Sequence, residues 1–319
     1  MCKTKVRKTK IICLMFFLLL AAQVGITSAA ERWWNAGGGT DTKWNVSANW
    51  YGNPAPTISD NAFLDRPDSS TLIDSTITAR CLSLDVAKWS WNHYLYMTGG
   101  SLTVSQKMII SNLHHQWGYS QGQVYMSGGA VSVGGDLVIC ADGWWGLLEM
   151  TEGTINVGGT LWLPGGTDDA GVGAAFGELH LYNGTITAGN FDSNDHCGGR
   201  IFDIVTGQLI INGNDTADIA AGVNEGWITG YNGAVPVAYD YGVTNAGKTT
   251  VKATGCHWIR KGADNSWTTA ANWVGGVPTS SKFAGIVAAG TTCEINSGVN
   301  AESNDCMIAY FSNWGGAGN

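Results

Sequence analysis

Chemistry in this sequence would have to come from a small stock of residues. Glu149, Glu178, Asp168, Asp169 and Asp203 are the acids that would face one another over a groove, the arrangement with which paired carboxylates hydrolyse glycosidic bonds. A polysaccharide lyase needs, in addition, a cationic base or charge neutraliser beside an acidic calcium-binding cluster. Between Cys81 and Gly199 there is no arginine, and the only lysines are Lys88 and Lys107. That shortage argues against lyase chemistry, so the acids are read as solvated loop and turn residues and the chain as non-catalytic. His114, His115, His196, Asp168 and Asp169 would make a metal site only by converging, yet adjacent histidines on a strand point to opposite faces. Asn212-Gly213-Asn214-Asp215 offers oxygen ligands to Ca²⁺ but lacks the multi-carboxylate spacing of a dedicated loop. The cofactor expectation is therefore none, with Ca²⁺ as the one candidate. Trp117, Tyr119, Trp144 and Trp145, with Asp168 and Asp169, form the candidate ligand-binding set, because exposed aromatic rings offer sugars a flat apolar face with a polar edge.

These residues sit on loops that a repeated phrase must position. Met97-Thr-Gly-Gly-Ser-Leu-Thr-Val104 recurs with its glycine in place from Met126, Met150, Leu181 and Ile204, at intervals of 23 to 31 residues. Such intervals fit one turn of a β-solenoid and are too short for a propeller blade. Period-2 alternation predicts three inward columns. They run through Leu95/Met97, Val124/Met126, Leu148/Met150, Leu179/Leu181 and Phe202/Ile204; through Leu102, Val131, Ile155, Ile186 and Leu209; and through Met108, Leu137, Leu161 and Phe191. Tyr96, Tyr125, Glu149, His180 and Asp203 then face water. Length variation falls into one loop per turn: 111–122, 140–146, 164–177 and 193–201. The expected fold is all-β, a parallel β-helix (β-solenoid) of about five three-stranded turns with Trp-rich β caps.

A second duplication flanks the repeats. Trp44-Asn-Val-Ser-Ala-Asn49-Trp50 returns as Trp267-Thr-Thr-Ala-Ala-Asn272-Trp273, with Trp34 and Trp258 ahead of the two copies. Each copy continues to a cysteine-containing strand, at Cys81 and at Cys306. The fixed spacing, with asparagine directly before the second tryptophan, favours packing plus a side-chain turn over sugar stacking. Lys3, Lys5, Arg7, Lys8 and Lys10 precede an apolar run that ends in Ser28-Ala29-Ala30, the pattern of a signal peptide too short to serve as a span. The domain expectation is 1–30 signal peptide, 31–93 Trp-rich cap, 94–211 solenoid, 212–255 closing strands and spacer, and 256–319 a second cap, read as a fragment of a longer tandem protein. The net charge of −8 becomes more negative once the basic leader is lost. Nucleic acid and anionic membrane are then poor partners. An exported chain admits disulfides, with Cys293–Cys306 and Cys197–Cys256 the preferred pairs.

The paired Trp44/Trp50 and Trp267/Trp273 motifs, the Gly-Gly-x-Leu-x-Val phrases and the stretch from Gly226-Trp-Ile-Thr-Gly-Tyr to Val251 together resemble exported bacterial repeat proteins of the autotransporter-associated-strand and sorting-signal type. That resemblance implies a surface or matrix protein without catalytic residues, although no sorting segment follows here. The expected function is a secreted or cell-surface structural and assembly protein, associating with itself or other surface proteins. A carbohydrate-binding module that engages polysaccharide through its loop-edge aromatics is the alternative, and a β-helix polysaccharide-degrading enzyme the lesser one.

Overall fold

The computed structural model describes residues 29–52, 54–89, 92–112, 114–115, 118–141, 145–164, 175–193, 199–258, 262–280, 282–286, 292–303 and 306–308. From Glu31 onward the chain forms one compact unit. The N-terminal segment supplies β1 (Glu31–Trp33), β2 (Asn61–Leu64), β3 (Ser69–Ile73), β4 (Thr78–Cys81) and β5 (Ser83–Val86). Then come β6 (Asn92–Val104), β7 (Met108–Ile110), β8 (His114–His115), β9 (Gly118–Tyr119), β10 (Gln121–Val133), β11 (Leu137–Ile139), β12 (Trp145–Trp162), β13 (Phe176–Leu181), β14 (Thr185–Asp192), β15 (Gly199–Ile204) and β16 (Gln208–Asn212). Helix α1 (Thr216–Glu225) leads to β17 (Ile228–Gly230), β18 (Val237–Tyr241) and β19 (Lys248–Ala253). The last strands are β20 (Gly255–Trp258), β21 (Trp273–Val274), β22 (Phe283–Ile286) and β23 (Cys306–Ile308).

The repeated phrases stack in parallel register. Met97 pairs with Met126, Met126 with Met150, Met150 with Leu181 and Leu181 with Ile204. A second column runs Leu102, Val131, Ile155, Ile186, Leu209, and a third Met108, Leu137, Leu161, Phe191. These side chains are buried in one continuous core. The glycine of each phrase has a steric reason. Gly129 lies at φ 85° and Gly153 at φ 105°, in the left-handed region. A methyl group on Gly129 would stand 2.5 Å from the Gly99 carbonyl oxygen, and one on Gly153 2.6 Å from that of Gly129. From Gly100 to Gly184 each corner therefore rests on the backbone of the corner before it, an approach that only glycine permits, whereas Gly207 in the last phrase faces the Leu181 side chain.

Three features depart from the sequence expectation. The ladder begins inside the segment read as a separate cap, since β3 and β4 pair with β6, and β5 with β7, adding Ile73, Ala79 and Leu84 to the three columns. The sheet is also mixed: β17 continues the first column in parallel, whereas β19 runs antiparallel to both β16 and β18. Finally, residues 212–255 contain a helix as well as closing strands. Asn214 opens it by accepting hydrogen bonds from the Thr216 amide and hydroxyl, and Gly226 ends it at φ 82°. Asn214 is thus the hinge of an Asx turn, and among the described residues no group of three His, Cys, Asp or Glu is placed to hold a metal ion.

Candidate functional site

The duplicated tryptophan motif folds twice into the same unit. Asn49 is fully buried; its Oδ1 accepts from the Gly38 amide at 2.7 Å while its Nδ2 donates to the carbonyls of Asp41 (2.7 Å) and Lys43 (3.1 Å). Asn272 repeats this with Gly262 (2.7 Å), Asp264 (3.0 Å) and Ser266 (3.2 Å). Trp50 donates Nε1 to the Trp44 carbonyl at 2.7 Å, and Trp273 to that of Trp267 at 2.6 Å. In both copies the rings meet edge to face, Trp44–Trp50 at 4.9 Å and Trp267–Trp273 at 4.8 Å, with Trp34 and Trp258 closing the clusters. All six tryptophans are buried. They are core residues, and no sugar reaches their faces.

Strand pairing moves the correspondence between the two copies' cysteines. β1, β2 and β5 join through Arg32, Ala62 and Leu84, as β20, β22 and β23 join through Cys256, Ala284 and Cys306. Cys306 therefore stands where the first copy has Leu84. The expected Cys293–Cys306 bond is not formed, and Cys256 makes no disulfide either. Cys256 is wholly buried in the second tryptophan core, and burial, with Cys306 nearby, pushes the Cys293 thiol up to about 11. Cys197 lies outside the described residues.

Of the loop-edge candidates, Trp117, Trp144, Asp168, Asp169 and His196 also lie outside them. Tyr119 is in β9, whose short antiparallel pairing sets it opposite His114. Trp145 starts β12, half-buried, with its indole nitrogen buried and unpartnered among the described residues. Lys88, one of the two lysines a lyase would have to recruit, is 4.0 Å from the Phe63 ring and 3.7 Å from Asp85.

A different cluster, on the outward side of the first column, has the richer chemistry. Tyr96, Tyr125, Glu149, His180 and Asp203 occupy one register position on successive strands, and Tyr94, Gln123, Leu147 and Glu178 the position two residues earlier. This face is not simply hydrated. Tyr96 is 38% exposed, but Gln123 and Leu147 are buried and Asp203 is 1% exposed. Asp203 is satisfied, accepting from Thr229 Oγ1 at 2.8 Å and the Asn232 amide at 2.7 Å. Glu178 Oε2 is 2.9 Å from His180 Nε2, and His180 Nδ1 is buried without a partner among the described residues. Burial raises the pKa of Glu149, with His180 opposing it, and likewise that of Asp203; it pushes Tyr182 up to about 12. Alternation placed this column on the outer face but carried no signal of its depth.

Buried His93 makes the pH dependence of the ladder testable. It sits between Ser69 Oγ (3.2 Å) and Thr71 Oγ1 (3.0 Å), and burial lowers its pKa to about 3. The unfolded chain takes up this proton near the ordinary value of about 6.5, so the contribution is complete above that value. It is lost as the pH falls towards 3, by at most about 1.4 kcal/mol per pH unit. Asp65 and Asp85, raised by burial, act in the opposite direction. Urea melts at pH 7 and pH 4.5 should therefore show a smaller acid loss in His93→Asn than in the parent chain. An equal loss would show that His93 does not titrate with unfolding.

No protein-family description, no curated protein and no solved structure matches the chain.

Proposed function

We propose that this chain is an exported, non-catalytic scaffold of the cell surface, in which a β-solenoid grows from a tryptophan module and presents one set of loops per turn. The carrying observation is the duplication of that module with its hydrogen bonds intact. In the first copy, β3, β4 and β5 are the platform on which β6 and β7 are laid. In the second copy, β23 stands in the place of β5. A ladder started twice along one chain suits end-to-end assembly, with further copies or other surface proteins as partners. The basic and apolar leader supports export, and the acidic balance disfavours nucleic acid and anionic lipid. The mature chain should form elongated oligomers that lengthen with concentration, seen by light scattering after size exclusion and by negative-stain microscopy. A monomer at every concentration would overturn the assembly reading.

A further inference from the structure

The outward face of the first column holds polar groups that the scaffold does not use. Glu149 is half-buried and makes no hydrogen bond among the described residues, although its neighbours on either side do. His180, its register partner on the next strand, keeps a buried Nδ1 without a partner among the described residues. Buried groups left unpaired in this way are uncommon in folded proteins and ask for an explanation. Here one, on a ring able to donate or accept according to its tautomer, adjoins the half-buried carboxylate of Glu149.

The same face carries the ring edges of Tyr94, Tyr96 and Tyr125. Tyr94 and Tyr96 lie 6.3 Å apart with their planes 14° from parallel, and Tyr96 and Tyr125 5.3 Å apart at 15°. Rings stacked on one another turn their edges and hydroxyls, not their faces, towards a ligand. Recognition here would be by hydrogen bonds repeated at each strand, about 4.8 Å apart, and the occupant would be a long molecule rich in hydroxyls. These strands are paired on both sides, so no backbone edge is free to add a peptide strand. The carboxylates of Glu149, Glu178 and Asp203 disfavour a polyanion.

We propose that this face binds a neutral linear polysaccharide along the ladder axis, its hydroxyls donating to Glu149, which the His180 ring flanks, and pairing with the exposed Tyr96 hydroxyl. Binding there is independent of self-assembly.

Affinity electrophoresis of the mature chain through gels containing glucomannan, xyloglucan or laminarin, with polygalacturonate as the acidic control, tests it. The parent chain should be retarded by at least one neutral glycan and not by polygalacturonate. Glu149→Ala and Tyr96→Phe should each weaken retardation roughly tenfold, the equivalent of one hydrogen bond to the ligand. Glu149→Gln, which keeps the shape and one acceptor, should weaken it less and guards against a folding defect in the alanine variant. Unchanged melting temperatures would assign the loss to the site. Absence of retardation by all three neutral glycans, equal retardation by polygalacturonate, or undiminished retardation in correctly folded variants would each overturn the proposal.

Discussion

Replacing Gly129 by alanine should destabilise the protein by about 2–5 kcal/mol, combining backbone strain in the left-handed region with the clash of the new methyl group. The corner at Gly129 lies at φ 85°, with the Gly99 carbonyl oxygen 2.5 Å from where the β-carbon would be. The obstacle is backbone on the neighbouring strand, itself held in register on both sides, so it cannot move aside as a flexible side chain would. Gly233 separates the two contributions. It has nearly the same φ, also 85°, but nothing within 4 Å of its would-be β-carbon. Gly233→Ala should therefore cost only about 1 kcal/mol, the conformational part alone. Since whole domains are stable by about 5–15 kcal/mol, the first substitution should be plain in a urea melt and the second barely so. Equal losses would mean that the turns do not rest on one another at their glycines.

The second large effect is expected at Asn49. Its amide satisfies one backbone donor and two backbone acceptors inside the tryptophan module, and alanine would strand all three, at a cost of about 3 kcal/mol or more. Asn49→Asp is the sharper probe. The aspartate would still accept from Gly38, but at neutral pH it would turn a second acceptor towards the Asp41 and Lys43 carbonyls, so it should be at least as damaging as alanine. Part of that loss should return on acidification, when the carboxyl regains a proton to donate. Faster amide exchange at Gly38 would report the local change, and the equivalent change at Asn272 should be read at Gly262. If Asn49→Ala melts like the parent, the asparagine does not hold the module together.

The three inward columns were legible because their evidence is doubly periodic: alternation within a strand and a glycine-marked phrase between strands. Met97, Met126, Met150, Leu181 and Ile204 stand in the register that this pattern predicts. The pairing of β3 to β5 with the ladder was hidden because the corner between β3 and β4 uses a different device. Asp74 accepts from the Thr76 amide and hydroxyl where the later phrases have glycine, so no phrase marks it. The cysteine correspondence failed for a related reason. Cys81 and Cys306 both follow a polar turn, but the ladder is set by Ala62 and Ala284, and these put Cys306 in the place of Leu84. In the tryptophan modules, spacing was enough to predict packing, although only coordinates could show one asparagine serving three backbone groups. The polar face at Glu149 and His180 was visible as residue types. Its depth was not, because period 2 separates inside from outside and says nothing of how much else leans on the outer face.

The central claim, that successive phrases lie beside one another in this register, is tested most directly by trapping neighbours with a disulfide. Thr103 and Ser132 are paired and exposed, as are Ser132 and Asn156 on the next strand. Paired positions are about 4.8 Å apart, within the span a disulfide accepts, whereas Thr103 and Asn156, two strands apart, exceed it. Mild oxidation should close the bond in Thr103→Cys/Ser132→Cys and leave Thr103→Cys/Asn156→Cys open, as read by peptide mass. No bond in the first variant, or equal bonding in both, would contradict the ladder.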